Sequence, residues 1–182
     1  LPLKPLVLMD KIIGESAAIK NVKTQIDKSK DLEMTILITG ETGTGKELIA
    51  ECIHECSQRS KEPFLKINCA AVSETLLESE LFGHEKGAFT GASNERKGLF
   101  EEAGNGTVFL DEIGDVSPRI QTALLRVLES SEIKPLGSNF TKKIHCRVIT
   151  ATNVNLAEMS KLQKFRQDLY YRLYRLPIHS PA

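Results

Sequence analysis

The sequence predicts an α/β fold in which a mainly parallel, five-stranded sheet lies between helices. Three observations predict it. Short runs rich in apolar and β-branched residues occur at 35–40 (TILITG), 64–68 (FLKIN), 107–111 (TVFLD), 147–152 (RVITAT) and 176–179 (LPIH). Most do not alternate with polar residues, as expected of strands covered on both faces. Stretches with apolar residues at helical spacing separate them, and strand–helix alternation is the pattern of parallel crossovers.

The elements follow in order. Residues 1–11, with Pro2 and Pro5, read as an extended linker, and 12–182 as one folded core. Ser16 can cap a helix to about Lys30 with Ile19, Val22 and Ile26 on one stripe. A second helix runs from Lys46 to about Ser57, with Leu48, Ile49, Cys52 and Ile53 inward. Residues 73–82 form a short helix carrying Leu76, Leu77 and Leu81. Ser117 followed by Pro118 is a helix start, and Ile120, Leu124, Leu125 and Leu128 continue it on one face. Residues 132–145 resemble a hairpin turning near Gly137, Ser138 and Asn139, and 166–174 a short helix.

Composition narrows the function. Of 182 residues 41% are hydrophobic and 26% charged, a globular balance. Lys plus Arg equals Asp plus Glu at 24 each, which argues against broad electrostatic binding of nucleic acid. Cys52, Cys56, Cys69 and Cys146 match no metal-ligand spacing, with or without His54 and His145, and read as small apolar residues in a reducing compartment. The proline-interrupted start is too short for a membrane span. A soluble, cytoplasmic chain without membrane contact is expected.

The strongest motif is GETGTGKE, comprising Gly40, Glu41, Thr42, Gly43, Thr44, Gly45, Lys46 and Glu47 between a strand and a helix. Its G-x-x-x-x-G-K core is the P-loop. The glycines let backbone N–H groups close around phosphates, the helix start favours negative charge, and Lys46 supplies a cation to the β- and γ-phosphates. The Ser or Thr expected after the lysine, a magnesium ligand, is Glu47 here.

Asp111 and Glu112 follow four β-formers. At a strand end Asp111 would hold Mg²⁺, and Glu112 would orient or deprotonate an attacking water. A kinase needs no such second acid, so the pair favours hydrolysis. Asn153, just past RVITAT, lies where its amide could reach a γ-phosphate or that water; alone it would more often form a turn.

The segment LFGHEKGAFTGA at 81–92 is predicted by no general chemistry. Gly87, Ala88, Phe89, Thr90, Gly91 and Ala92 resemble the hallmark of the sigma-54-dependent transcriptional activators, a branch of the AAA+ P-loop ATPases. IIGES, GETGTGKE, INCAA, ESELFGHEKGAFTGA, GTVFLDEIGD, ITATN and FRQDLYYRL resemble that family in order along nearly the whole chain. Within it Glu47 ceases to be anomalous.

The resemblance implies ATP and Mg²⁺ as ligands, a ring, usually a hexamer, with ATP between subunits, and hydrolysis that moves the GAFTGA loop against sigma-54 bound to RNA polymerase. Two glycines around an exposed aromatic suit a mobile loop with one apolar anchor, so Phe89 and Thr90 are the expected contacts. It further implies that Arg166 or Arg172 reaches a neighbour's nucleotide and that Asn68 hydrogen-bonds Glu112. Ile13 and Gly14 would lie beside adenine, and the stretch after Asp115 would form a second pore-facing loop. Family members continue into a helical lid and often a DNA-binding domain. Neither is expected in this chain, whose activity alone should then be weak, and a regulatory domain of the two-component type would precede it. Two other classes compete: a different AAA+ motor, such as a chelatase or unfoldase, and a binding module that does not hydrolyse ATP. The intact GAFTGA opposes the first; Lys46, Asp111, Glu112 and Arg166 oppose the second.

Overall fold

A computed structural model describes residues 9–182. Most of the linker at 1–11 lies outside them. Its end, Met9 to Ile12, closes a turn through the Ile12 N–H and the Met9 carbonyl at 3.2 Å instead of running extended.

The sheet has five strands: β1 (Ile36–Thr39), β2 (Phe64–Asn68), β3 (Thr107–Asp111), β6 (Arg147–Thr152) and β7 (Leu176–His179). Their order is β2-β3-β6-β1-β7, every neighbouring pair parallel. The expected fold class is found. A separate antiparallel pair, β4 (Glu132–Ile133) and β5 (Lys142–Lys143), is the expected hairpin at 132–145 with very short strands.

Strand alternation divides the core in two. Ile36, Ile38, Phe109, Ile149, Ala151 and Ile178 pack on one face against α1 (Ala17–Ser29) and α2 (Lys46–Glu55). Leu37, Val108, Leu110 and Val148 face the other side, packing with α3 (Glu74–Phe82), α5 (Pro118–Ser130) and α7 (Gln167–Leu173). Buried aliphatic and aromatic side chains of this kind each contribute about 1.5–3 kcal/mol.

The caps form as their residue types dictate. Ser16 accepts the Ile19 N–H at 3.3 Å at the start of α1. Ser117 does the same for Ile120 at 3.3 Å while donating to Glu74 at 2.7 Å, so one hydroxyl caps α5 and joins it to α3. At the opposite end of the sheet Arg147, 3% exposed, donates to the carbonyls of Ser29 at 2.6 Å and Lys30 at 2.5 Å. It thereby satisfies the last turn of α1, and burial pulls its guanidinium down to about 10.

Sequence periodicity missed two helices, α4 (Leu99–Glu102) and α6 (Leu156–Lys161), and a 3₁₀ turn at Ile113–Asp115. All are six residues or shorter, too brief for a 3.6-residue repeat to register. The last helix begins at Gln167, with Arg166 as its N-cap.

Candidate functional site

Register brings the motifs together. Thr39 lies opposite Thr152, Leu110 opposite Thr150 and Asn68 opposite Asp111. Gly40, Asn153, Asp111 and Asn68 therefore end their strands at one edge. Residues 40–46 and the Asp111–Glu112 pair are two strands apart, about 10 Å at normal strand spacing.

The loop at 40–47 depends on backbone shapes that glycine permits. Gly43 and Gly45 both have φ +84°, with open space where a Cβ would be. At Gly40 a Cβ would sit 2.7 Å from the Ser180 carbonyl oxygen. Lys46, 6% exposed, curls back so that Nζ donates to the carbonyls of Gly40 at 3.0 Å and Glu41 at 2.8 Å. Thr44 Oγ1 donates to the Glu41 carbonyl at 2.9 Å. Thr42 is exposed and accepts the Asn153 amide at 3.1 Å.

Glu47 opens α2 with its carboxylate turned to Lys66 on β2, whose ammonium also reaches Glu51 at 3.5 Å. The extra acid beside a phosphate-binding motif is thus neutralised by a cation from the next strand.

Glu112 adopts a left-handed backbone (φ +54°, ψ +49°), rare for a residue with a Cβ. Its N–H is taken by Asp111 Oδ1 at 2.9 Å, and its Oε2 is buried with no hydrogen-bond partner among the described residues. An unpaired buried oxygen costs about 1–3 kcal/mol, and such groups cluster where a ligand or water completes them. The turn behind it packs tightly: a Cβ on Gly114 would lie 2.4 Å from Val154, the residue after Asn153. The acids also raise their neighbour Cys69, whose thiol is pushed up to about 12 by burial first and then by Asp111, Asp115 and Glu112.

Asn68 does not bond Glu112 in this arrangement. Its side-chain oxygen accepts the Ala70 N–H at 2.9 Å, because a two-residue turn offers a donor nearer than the acid on the next strand. Arg166 forms a two-pronged pair with Asp168 at 3.0 and 2.8 Å and donates to Thr122 at 3.3 Å; Arg172 pairs with Glu129 at 3.5 Å. Both arginines are about 40% exposed and point outside the chain's own phosphate loop. Ile13 is 87% exposed, an unusual setting for an isoleucine, and Gly14 beside it has φ +135°.

The 87–92 loop is compact. The Gly87 N–H reaches the Ala92 carbonyl at 2.8 Å and the Ala92 N–H that of Phe89 at 3.0 Å. Gly87 and Gly91 take positive φ, and Thr90 is exposed. Phe89, however, is only half-exposed: its ring lies 4.9 Å edge-on to His84, which is buried and held by Ser79 at 2.6 Å. Left free the ring would face water; here it packs edge-on against the His84 imidazole instead.

The stretch after Asp115 does not form a second loop but turns into α5. The segment against the first loop is the 132–145 hairpin. Leu136 exchanges backbone bonds with Gly83 at 2.9 Å and Glu85 at 3.0 Å, and Gly137 faces Ala88 so closely that a Cβ would lie 2.9 Å from its methyl.

A 460 Å³ cleft beside the phosphate loop is lined by Thr39, Gly40, Glu41, Asn153, Tyr170 and His179 among others. A larger one, 610 Å³, lies beyond Tyr170 around Gln121 and Arg166, away from the phosphate loop. Ser180, which no sequence signal marked, supports the loop by donating to the Thr44 carbonyl at 2.7 Å. It sits just past β7, and only strand pairing brings it there.

Among the described residues no helix is long and apolar enough to cross a membrane. The profile of the family described as Sigma-54 interaction domain matches residues 12–179. The Nif-specific regulatory protein of Bradyrhizobium diazoefficiens is 55% identical over 170 residues, 93% of this chain and 29% of that protein. The transcriptional regulator VasH of Vibrio cholerae is 50% identical over 170 residues, 93% of this chain and 33% of that protein. The structure of NtrX from Brucella abortus in complex with ATP superimposes with a TM-score of 0.86 at 35% identity, over 93% of this chain and 36% of that one. The chain thus spans about a third of the length of these relatives.

Proposed function

The chain belongs to the Sigma-54 interaction domain family, and from that premise we propose that it is the ATP-hydrolysing part of a sigma-54-dependent transcriptional regulator. Residues 12–182 would be the AAA+ core and 1–11 a linker into it. The observation that carries the reading is the shared sheet edge, where the buried Lys46 ammonium stands beside a glycine-shaped loop and Glu112 presents an unpaired oxygen.

Each residue then has a task. The N–H groups of 40–46 bind the phosphates, and Lys46 exchanges two carbonyl partners for β- and γ-phosphate oxygens. Glu41, Thr42 and Thr44 shape the loop, with Glu47 held aside by Lys66. Ile13 covers the adenine with its exposed side chain, and Gly14 turns the backbone there. Glu112 takes a proton from water, and Asn153 orients that water or the γ-phosphate. Asp111 would hold magnesium, an oxygen-seeking cation that offsets phosphate charge. Arg166 and Arg172 would act across a subunit boundary in a six-membered ring, where a cation supplied in trans stabilises transition-state charge. Asn68 would change partners from Ala70 to Glu112 as the state of the site changes. Hydrolysis would release Phe89 from His84 and present Gly87–Ala92 to sigma-54 on RNA polymerase, driving promoter opening. DNA would be read by another part of the protein, in the cytoplasm.

The test uses the full-length protein. Lys46→Ala should abolish both ATP hydrolysis and opening of a sigma-54 promoter; opening that persists without hydrolysis refutes the coupling.

A further inference from the structure

Ser180 follows β7 and is 2% exposed, yet its side chain bonds a residue 136 positions away: Oγ donates to the Thr44 carbonyl at 2.7 Å. A serine hydroxyl more often bonds its own or a neighbouring backbone group. The backbone of Ser180 has a separate task. Its N–H donates to the Thr39 carbonyl at 2.7 Å and carries the β1–β7 ladder one residue past His179. Pro181 disfavours a helical backbone at Ser180 and so keeps it in line with the strand. Strand pairing thus places the residue without help from the hydroxyl, which is left to act on the phosphate loop alone. The loop closes tightly over it, with no room for a Cβ on Gly40 against the Ser180 carbonyl.

The bond acts on a peptide plane. Thr44 is held on one side by the bond from its Oγ1 to the Glu41 carbonyl at 2.9 Å, and on the other by Ser180. The peptide joining Thr44 to Gly45 is planar and trans, so its C=O and N–H point in opposite directions. Holding the Thr44 carbonyl toward Ser180 therefore turns the Gly45 N–H away from it, and that N–H has no acceptor among the described residues. We propose that Ser180 is a positioning residue for the nucleotide: through the Thr44 carbonyl it aims the Gly45 N–H at a phosphate oxygen of bound ATP. The inference rests on the reading of 40–47 as the phosphate site. Without the hydroxyl the plane is free to turn, because Gly45, at φ +84° with open space where a Cβ would be, tolerates other conformations. Ser180 then governs how tightly the nucleotide is held and not its cleavage, which falls to Glu112.

The experiment measures binding of a fluorescent ATP analogue and steady-state ATP hydrolysis by the full-length protein. Ser180→Ala keeps the strand ladder and removes only the hydroxyl. It should weaken nucleotide affinity and raise KM together by roughly three- to tenfold, the share of one neutral hydrogen bond, with kcat changed by less than about twofold. Ser180→Thr, which keeps the hydroxyl, should recover most of the affinity. A role confined to fold stability would lower the melting temperature and leave affinity and KM where they were, and that result overturns the proposal. A fall in kcat at unchanged KM overturns it too, as does equal weakening by Ser180→Ala and Ser180→Thr. Should Ser180→Ala not fold, Ser180→Cys, a weak donor of similar size, takes its place in the same measurements with the same outcomes. Lys46→Ala tests the premise. Undiminished nucleotide binding by that variant would overturn both the loop's reading and this inference, whereas defective Lys46→Ala beside unaffected Ser180→Ala overturns this inference alone.

Discussion

Asn153 Nδ2 lies 3.1 Å from Thr42 Oγ1, joining the residue after β6 to a phosphate loop 111 positions earlier in the chain. Both residues are exposed, so the bond adds little to stability. It holds the amide where a ligand on the loop would meet it. Asn153→Ala should lower ATP turnover about tenfold to a hundredfold while changing stability by less than about 0.5 kcal/mol. Steady-state kinetics and thermal melting of the full-length protein check the two halves, and equal losses in both would contradict the assigned role.

Glu112→Gln should separate binding from hydrolysis. The side chain keeps its size, so nucleotide affinity should stay within about threefold, while loss of a general base removes about 10²–10⁴ in rate. The unpaired Oε2 adds a second expectation: the variant should melt no lower than the unchanged protein. Fluorescent-nucleotide titration and calorimetry test these separately.

The pairing of Arg166 with Asp168 leaves the guanidinium outside its own phosphate loop. Arg166→Ala should lower turnover about 10³-fold or more if the group works in trans. Lys46→Ala subunits, unable to hold ATP, would still carry Arg166. Mixing the two inactive variants should therefore restore activity in shared rings, and failure of complementation in rings verified by sedimentation would count against an arginine acting across the boundary.

His54 sets a pH dependence of stability. It is 2% exposed, between Thr107 Oγ1 at 2.9 Å and the Glu62 carbonyl at 3.1 Å, and burial, the largest cause, lowers its pKa from the usual 6.5. The unfolded chain then binds the proton more readily than the folded one, so stability falls as pH drops through about 6.5 and below. Melting temperature should decline from pH 7 to pH 5, and His54→Gln should flatten that slope.

Burial also raises Cys69 and Cys146, to about 12 and 11. Thiolate is therefore scarce at pH 8, and both should react with iodoacetamide far more slowly in the folded protein than in urea. Mass-spectrometric labelling at each site measures this.

The chain by itself determined the strands and the chemistry carried on their ends. Apolar runs at 107–111 and 147–152 form strands wherever they can be covered, GETGTGKE has one backbone shape that suits its glycines, and Ser117-Pro118 starts a helix by local bonding alone. Short elements such as 99–102 and 156–161 were invisible because packing, not periodicity, makes them. Tertiary structure alone decided the rest. Strand order placed Ser180 under Gly40, Lys66 against Glu47 and the 132–145 hairpin against Ala88, and an adjacent imidazole drew Phe89 in from water. These pairings join residues far apart in sequence or depend on which surface lies nearest. Local sequence fixes what each segment can form, whereas partners across the sheet are selected only when the whole core is buried at once.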